Sequence, residues 1–365
     1  MRQKIVDCHM HTLSGAPEKL QTIADHFGFE KYAVLGCPCF AGPLNNLEVL
    51  LAKALHPGHV YAFGGLTYLP HERNGQTHVN QARQLMAAGF DGIKFIESKP
   101  TIARDLKLQM DSEEMAPVFA LLEETQFPIL WHVGDPAPFW DERTAPRFAV
   151  ENGWCYTDSA FPTLKELYDQ TERVLDRHPR LQVCLAHFYF TADDMPHARR
   201  MMDTYPGLRF DVTPGTEMYG HFLREPDLWR EFFMQYQDRI LFGTDLSDDE
   251  KDFESGLYDT LVGLIESALA QPGPVKVWDM QGRGLGLPGD VLDKLFAANT
   301  ERMYGAAPRK ICREGMAALI KGCEEHADAA QKQQLSRLAD RLYSALEAGG
   351  MNDTCTLKNV KRMMI

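Results

Sequence analysis

The chain has 365 residues, 44% of them hydrophobic, and a formal net charge of −13. That is enough apolar material for a large core, in one barrel-sized domain or in two or three smaller ones. An acidic chain without a long basic run lacks the footprint of a nucleic-acid binder, and no run approaches the roughly 18 apolar residues of a membrane span.

The first apolar stretch is too short for a secretory leader and runs straight into a histidine pair. The eight cysteines are scattered. Cys37-Pro38-Cys39 is not a CxxC motif, and Cys8 and Cys184 sit in apolar runs as small core residues. These features predict a reducing, cytoplasmic setting without structural disulfides. The expected partner is a small molecule, not nucleic acid or a membrane.

In chain order, strands are predicted at 4–9, 32–37, 60–67, 92–97, 128–133, 182–187, 208–213 and 239–244. Helical stretches lie between them near 17–27, 44–55, 79–88, 112–125, 162–177, 193–205, 223–236 and 253–270. Several strands are nearly continuous apolar runs, as in a sheet buried on both faces. Eight strand–helix units in this order predict an α/β fold, a (β/α)8 TIM barrel. Pro17 and Pro162 mark helix starts, Asp111 and Ser112 can cap the fourth helix, and Gly89 ends the third.

The connection after the fifth strand, from Gly134 to about Phe161, is long and rich in Trp, Phe, Pro and Arg. Its aromatic content predicts a folded lid or pocket wall. Beyond the barrel, Arg313 to Ala348 reads as a helical hairpin with Leu319, Leu335, Leu338, Leu342 and Leu346 at helical spacing. The expected division is a barrel over 1–308 and a helical extension over 309–365. That extension would pack on the barrel or on a partner subunit, so a homodimer is a fair expectation.

Four of the apolar runs end in residues that bind metals. Val6-Asp7-Cys8-His9-Met10-His11 carries two histidines two apart, which a strand projects from one face. Ile129-Leu130-Trp131-His132, Val183-Cys184-Leu185-Ala186-His187 and Ile240-Leu241-Phe242-Gly243-Thr244-Asp245 end in the others. In a barrel all five side chains come to the C-terminal edge, where such enzymes carry their sites. A lone His at a strand end is more often a hydrogen-bonded core or rim residue, and Asp245 alone could cap the following loop. Together they point to a divalent-metal site.

Lys94, in the fourth strand, is open to three roles: a bridging carboxylated lysine, a contact for a charged substrate or neighbouring carboxylate, or an outward rim residue. Glu97 falls on the opposite face from Lys94 unless the strand bulges. Tyr68 and His71 follow the third strand. Trp140 and Arg143 lie in the aromatic loop, and Thr213, Glu217, Tyr219 and His221 follow the seventh strand. All are expected to line the mouth, with Lys94, Tyr68, Trp140, Arg143, Tyr219 and His221 as candidate substrate contacts. Lys94, Arg143 and Arg147 together suit an anionic substrate.

The His-x-His, the later His, His and Gly-Thr-Asp, and the closing Asn299-Thr300-Glu301-Arg302-Met303-Tyr304-Gly305 resemble the amidohydrolase superfamily, in its branch of metal-dependent hydrolases and nonoxidative decarboxylases. The resemblance covers about residues 4–305. It implies that His9, His11, His132 and Asp245 hold one divalent ion, zinc above manganese. It makes His187 a contact to water or substrate, or a ligand where two metals are held. It also implies an open coordination position for water, whose pKa the ion lowers toward about 7, with Asp245 moving the proton and His187 steadying the developing oxyanion. Hydrolysis of an amide, ester or lactone is the first expectation. Nonoxidative decarboxylation of a small carboxylic acid is the second, and a noncatalytic metal- or ligand-binding barrel the third.

Overall fold

The computed structural model describes residues 4–69 and 73–349. Eight parallel strands follow one another in sequence order: β1 (Val6–His11), β2 (Lys31–Leu35), β3 (Val60–Gly64), β4 (Gly92–Ser98), β5 (Ile129–Val133), β6 (Val183–Leu185), β7 (Leu208–Asp211) and β8 (Ile240–Leu241). A ninth, β9 (Leu246–Ser247), pairs with β1. The last two are halves of one run. β8 pairs with β7, while the Cys8 N–H donates to Phe242 O (2.9 Å) and the Asp245 N–H to His9 O (2.8 Å). The ring of a (β/α)8 barrel closes there.

Alternation along the strands sorts the apolar residues into two packed sets. Val6, Cys8, Ala33, Leu35, Tyr61, Phe63, Leu130, Cys184 and Leu241 fill the lumen, while Met10, Val34, Phe95, Trp131, Leu185 and Phe210 face the helices. The closing motif plugs the floor. Asn299 Nδ2 donates to Gln237 O and Ile240 O (both 2.8 Å). The Tyr304 ring packs on Phe63 and Tyr61, and the Tyr61 hydroxyl donates to Gly305 O at 2.6 Å. The Asn-to-Gly signature therefore closes the end of the barrel opposite the metal-competent residues.

The helices differ from expectation where local chemistry intervenes. The stretch 223–236 is two helices, Thr216–Arg224 and Pro226–Gln235, because Pro226 starts a new one. The stretch 253–270 divides at Gly256, which adopts φ +77°. Ser112 does not cap the fourth helix, which starts at Ala116, and its buried hydroxyl has no partner among the described residues. Thr163, with Glu166, makes a full capping box instead of Pro162. Gly89 ends its helix at φ +96°, as expected. An antiparallel hairpin, β10 (Pro274–Val277) with β11 (Met280–Arg283), follows the last barrel helix and was not foreseen.

The C-terminal hairpin is Arg313–His326 and Ala329–Ala348. Its first helix packs on Gly75–Ala88 and its second on Asn45–Leu55, so Leu319, Leu335, Leu338, Leu342 and Leu346 are buried against the barrel. Residues 350–365 of the expected extension lie outside the described residues. No helix among the described residues is long and apolar enough to cross a membrane, and their cysteines are free thiols.

Candidate metal centre

The first strand places its two histidines with the help of a bulge. The β1–β2 register shifts between Asp7 and Met10, so Cys8 faces the lumen and His9 and His11 still turn inward together. Their Nε2 atoms lie 3.1 Å apart. Asp245 Oδ1 completes a triangle at 3.3 Å from His9 Nε2 and 3.1 Å from His11 Nε2. A tetrahedral ion with bonds of about 2.0 Å separates its ligands by about 3.3 Å, so this triangle has the size of one face of such a site. These are the residues whose donor atoms converge, all within 4.8 Å. Both histidines are buried, but the Asp245 side chain is 38% exposed, which leaves the outer side of the triangle open.

Buried carboxylates hold the triangle from behind. His9 Nδ1 lies 2.9 Å from Asp211 Oδ2 and 3.2 Å from Thr213 Oγ1. Donation of the Nδ1 proton to Asp211 leaves a lone pair on Nε2, facing the triangle, as metal-binding histidines require. Asp211 Oδ1 also accepts the backbone N–H of His187 (2.8 Å) and of Thr213 (3.1 Å). Asp7 accepts the His9 N–H (2.8 Å) and the Thr244 hydroxyl, and burial pushes its carboxyl up to about 8. Asp248 gathers the chain after β1, accepting from Thr12 Oγ1 and the N–H groups of Leu13, Ser14 and Ala16. Gly243 sits against this assembly. A Cβ there would stand 2.3 Å from Thr213 Oγ1 and 3.0 Å from His9 Cβ.

A proton shared between His11 and Asp245 holds the triangle together. Burial and Lys94 hold the His9 imidazole well below its usual range. At His11 burial is outweighed by the Asp245 hydrogen bond, which lifts its pKa to about 9. Asp245 stays ionised well below the usual carboxylate range, because burial is outweighed by His11 and His9. Lys94 Nζ lies 3.2 Å from His9 Nε2. The His9 lone pair thus meets two positive donors, the place a divalent ion would take, and the residues present fit such an ion.

The other half of the predicted set stands one ring away. The His187 ring centroid is 4.9 Å from His132 and 5.4 Å from His9. His132 Nε2 donates to Gly134 O at 2.8 Å, which leaves its Nδ1 as the acceptor nitrogen. His132 is therefore outside the three-donor cluster and would join it through Nδ1. His187 belongs to an unusual turn. His187, Phe188, Tyr189 and Phe190 all adopt left-handed backbone, at φ +54°, +55°, +58° and +50°. Each such non-glycine residue costs about 1–2 kcal/mol. Aromatic packing holds the turn: Phe188 sits among Phe210, Phe222, Trp229 and Phe233, and Tyr189 against Tyr168. His187 stacks on Phe190, its Nδ1 has no partner among the described residues, and burial and His132 push its pKa down to about 3.

The remaining candidates divide. Lys94 is buried in the cluster and is not a rim residue. Glu97 is turned by a bulge, since the β4–β5 register shifts between Phe95 and Ser98. It accepts from the Tyr68 hydroxyl and the Ile96 N–H (both 2.8 Å), and burial raises its pKa to about 7. Tyr68 therefore holds Glu97. Trp140 donates to Pro162 O (3.0 Å) and packs on Tyr156 within its own loop. Arg143 was expected at the mouth, but its side chain is 87% exposed and forks onto Asp141 of its own turn. Arg147 pairs in the same exposed way with Glu151. Tyr219 is a core residue, fully buried with its hydroxyl committed to Val212 O. His221 is half-buried on the helix Thr216–Arg224. His71 lies outside the described residues. Asp7, Asp211, Asp135 and Asp248 were missed. A carboxylate inside an apolar strand run, as in Asp7 and Asp211, is the one signal that pointed to them.

A family model described as amidohydrolase matches residues 6–306. No curated protein matches the chain by sequence. Similar solved structures include the IDCase of Metarhizium anisopliae, with TM-score 0.52 and 15% identity over 83% of this chain and 97% of that one. An uncharacterized TIM-barrel protein of Bordetella bronchiseptica gives TM-score 0.52 and 15% identity over 82% and 98%. The 4-oxalomesaconate hydratase of Rhodopseudomonas palustris gives 0.50 and 14% over 88% and 100%. At these identities the likeness is one of fold. Strand order, barrel closure and a family match over residues 6–306 agree that this chain belongs to the amidohydrolase family.

Proposed function

We propose that this chain is a metal-dependent hydrolase that adds water to an amide, ester or lactone of a small molecule. The observation that carries the reading is the triangle of His9 Nε2, His11 Nε2 and Asp245 Oδ1, with edges of 3.1–3.3 Å, at the open end of the barrel. His9, His11 and Asp245 would hold one divalent ion, zinc above manganese, with His132 as fourth ligand through Nδ1. When bound, the ion supplies Lewis acidity and lowers the pKa of water.

The chain's own residues supply the rest. Asp211 fixes the His9 tautomer. Asp245, ionised and partly exposed, takes a proton from the attacking water and passes it to the leaving group. His187, neutral and held by its turn, meets the developing oxyanion. Of the three cations expected to attract an anionic substrate, Arg143 and Arg147 are exposed and paired with Asp141 and Glu151 of their own segments, while Lys94 is buried in the cluster and would be the one to meet a substrate carboxylate.

The test begins with metal content of protein purified without chelator, by elemental mass spectrometry. About one zinc or manganese per chain is expected. Turnover of an ester, lactone and amide panel in 18O-water should then place one labelled oxygen in the new carboxylate, and Asp245→Asn should abolish it. Carbon dioxide release without label incorporation would replace hydrolysis by decarboxylation. A chain that holds no metal, and regains none on dialysis against zinc, ends the metal reading.

A further inference from the structure

The segment after β5 is a folded wall with its own aromatic cluster. Phe139, Ala149 and Tyr156 are buried in it, and Trp140, Trp154 and Phe161 pack around them. The wall is pinned to the barrel at one buried carboxylate, Asp135. Lys99, just past the end of β4, places Nζ 2.9 Å and 2.8 Å from its two oxygens. The Tyr156 hydroxyl, from the far end of the wall, donates to Oδ2. Lys99 Nζ also lies 4.5 Å from the Trp154 ring centroid. Asp135 Oδ1 faces the barrel, 3.4 Å from His132 Nε2, the nitrogen that donates to Gly134 O. Burial would raise the Asp135 carboxyl, but Lys99 and His132 outweigh it and hold it at about 2.

One carboxylate therefore joins the ends of two strands, the far end of the wall and the back of a candidate ligand. We propose that Asp135 is a positioning residue that couples the wall over 135–161 to His132, so that wall position and the presentation of His132 Nδ1 to the metal change together. Replacing a buried ion pair with apolar packing often costs no stability, so a gain in folding energy is not what sets this one apart. It fixes direction. With Lys99 on both oxygens and Tyr156 on Oδ2, the carboxylate has one orientation left, and that orientation fixes a negative charge 3.4 Å from His132 Nε2, beside the Gly134 carbonyl that takes its proton. A substrate group that presses on the wall then acts on a metal ligand through Tyr156 and Asp135. The proposal rests on the reading of His132 as a ligand.

The test uses the full chain, with zinc affinity measured by competition with a chromophoric chelator and backbone hydrogen exchange followed over residues 137–161. Tyr156→Phe is the decisive variant, because it removes one hydroxyl, keeps the Lys99–Asp135 pair and touches neither His132 nor the triangle. Faster exchange across the wall together with zinc affinity weakened several-fold is expected. Asp135→Asn should show the same pair of changes, with affinity weakened tenfold to a hundredfold, the usual range for a partner behind a metal ligand. Should that variant fail to fold, Tyr156→Phe decides alone. Wild-type zinc affinity in Tyr156→Phe overturns the coupling, whether or not the wall loosens. A wild-type chain that binds no zinc instead ends the metal reading, and the coupling with it.

Discussion

The two sides of the candidate metal centre are built differently. On the side of β1 and β8, ordinary strand geometry brings His9 and His11 to one face. Buried carboxylates behind them, Asp7 and Asp211, hold backbone and ring. On the side of β5 and β6, His132 is held by its own Gly134 carbonyl and His187 by four left-handed residues. The first side carries one left-handed residue, Asp245 at φ +61°, and depends on buried carboxyl groups. The second carries backbone strain of several kcal/mol, at about 1–2 per residue, offset by the aromatic packing of Phe188 and Tyr189. Damage to the two sides should therefore look different. Removing a carboxylate unbalances charge, whereas loosening the aromatic packing releases backbone.

Asp211→Ala should do the most harm. It strips the acceptor from His9 Nδ1 and from the His187 and Thr213 N–H groups, so it is the one change that strikes both sides at once. A loss of about 3–5 kcal/mol in urea unfolding is expected, with loss of tight zinc binding. A loss under 1 kcal/mol would show that the carboxylate does not support this centre.

Next comes pH. The Glu97 carboxyl has its pKa raised by burial from 4.5 to about 7. A raised folded-state pKa means that the contribution is fully present below pH 4.5 and is lost as pH rises through about 7. The loss is at most about 3 kcal/mol. Glu97→Gln should flatten this slope in the urea midpoint between pH 4.5 and 7, while other buried carboxyls such as Asp7 keep theirs. An unchanged slope would mean that Glu97 ionises freely.

Gly243→Ala would push a methyl into Thr213 and His9 on the carboxylate-held side. A cost of about 1–3 kcal/mol and weakened zinc binding are expected. Unaltered affinity would show that the His9 side has slack. Lys94→Met removes the amino group 3.2 Å from His9 Nε2. A plain lysine competes with a metal there, so zinc affinity should rise on the order of tenfold. A fall, with fewer metals per chain, would make Lys94 a bridging ligand.

The smallest effect gauges the strained side. Lys107 ends the helix Pro100–Leu106 in left-handed backbone at φ +51°, outside any cluster described above. Lys107→Gly should stabilise the chain by up to about 1 kcal/mol, which measures what one such residue costs in this protein. No gain would mean that the strain at His187–Phe190 is overstated.

Much of the centre was legible because strands have a period of two. Once 128–133 is a strand, His132 turns inward with Leu130; once 6–11 is one, His9 and His11 share a face, which the β1 bulge turns inward. Asp245 was legible as the end of the last apolar run. The bulges were not. Glu97 enters the polar interior through a shifted register in β4, and nothing in Gly92-Ile93-Lys94-Phe95-Ile96-Glu97 announces it. Arg143 and Tyr219 were misplaced for the same kind of reason. A short turn let Arg143 close on Asp141, and the helix Thr216–Arg224 turned Tyr219 into the core.

The sequence by itself determined the barrel, its metal-competent edge and the identity of the residues that reach it. Those follow from short-range periodicity and from the need to bury eight apolar runs. Only the tertiary structure decided which donors converge, which carboxylates stand behind them, and that Asn299 and Tyr304 close the floor while Asp135 pins the wall. Those outcomes depend on atoms 21 to 296 residues apart in the chain meeting in a low-dielectric interior, where each buried charge must find a partner.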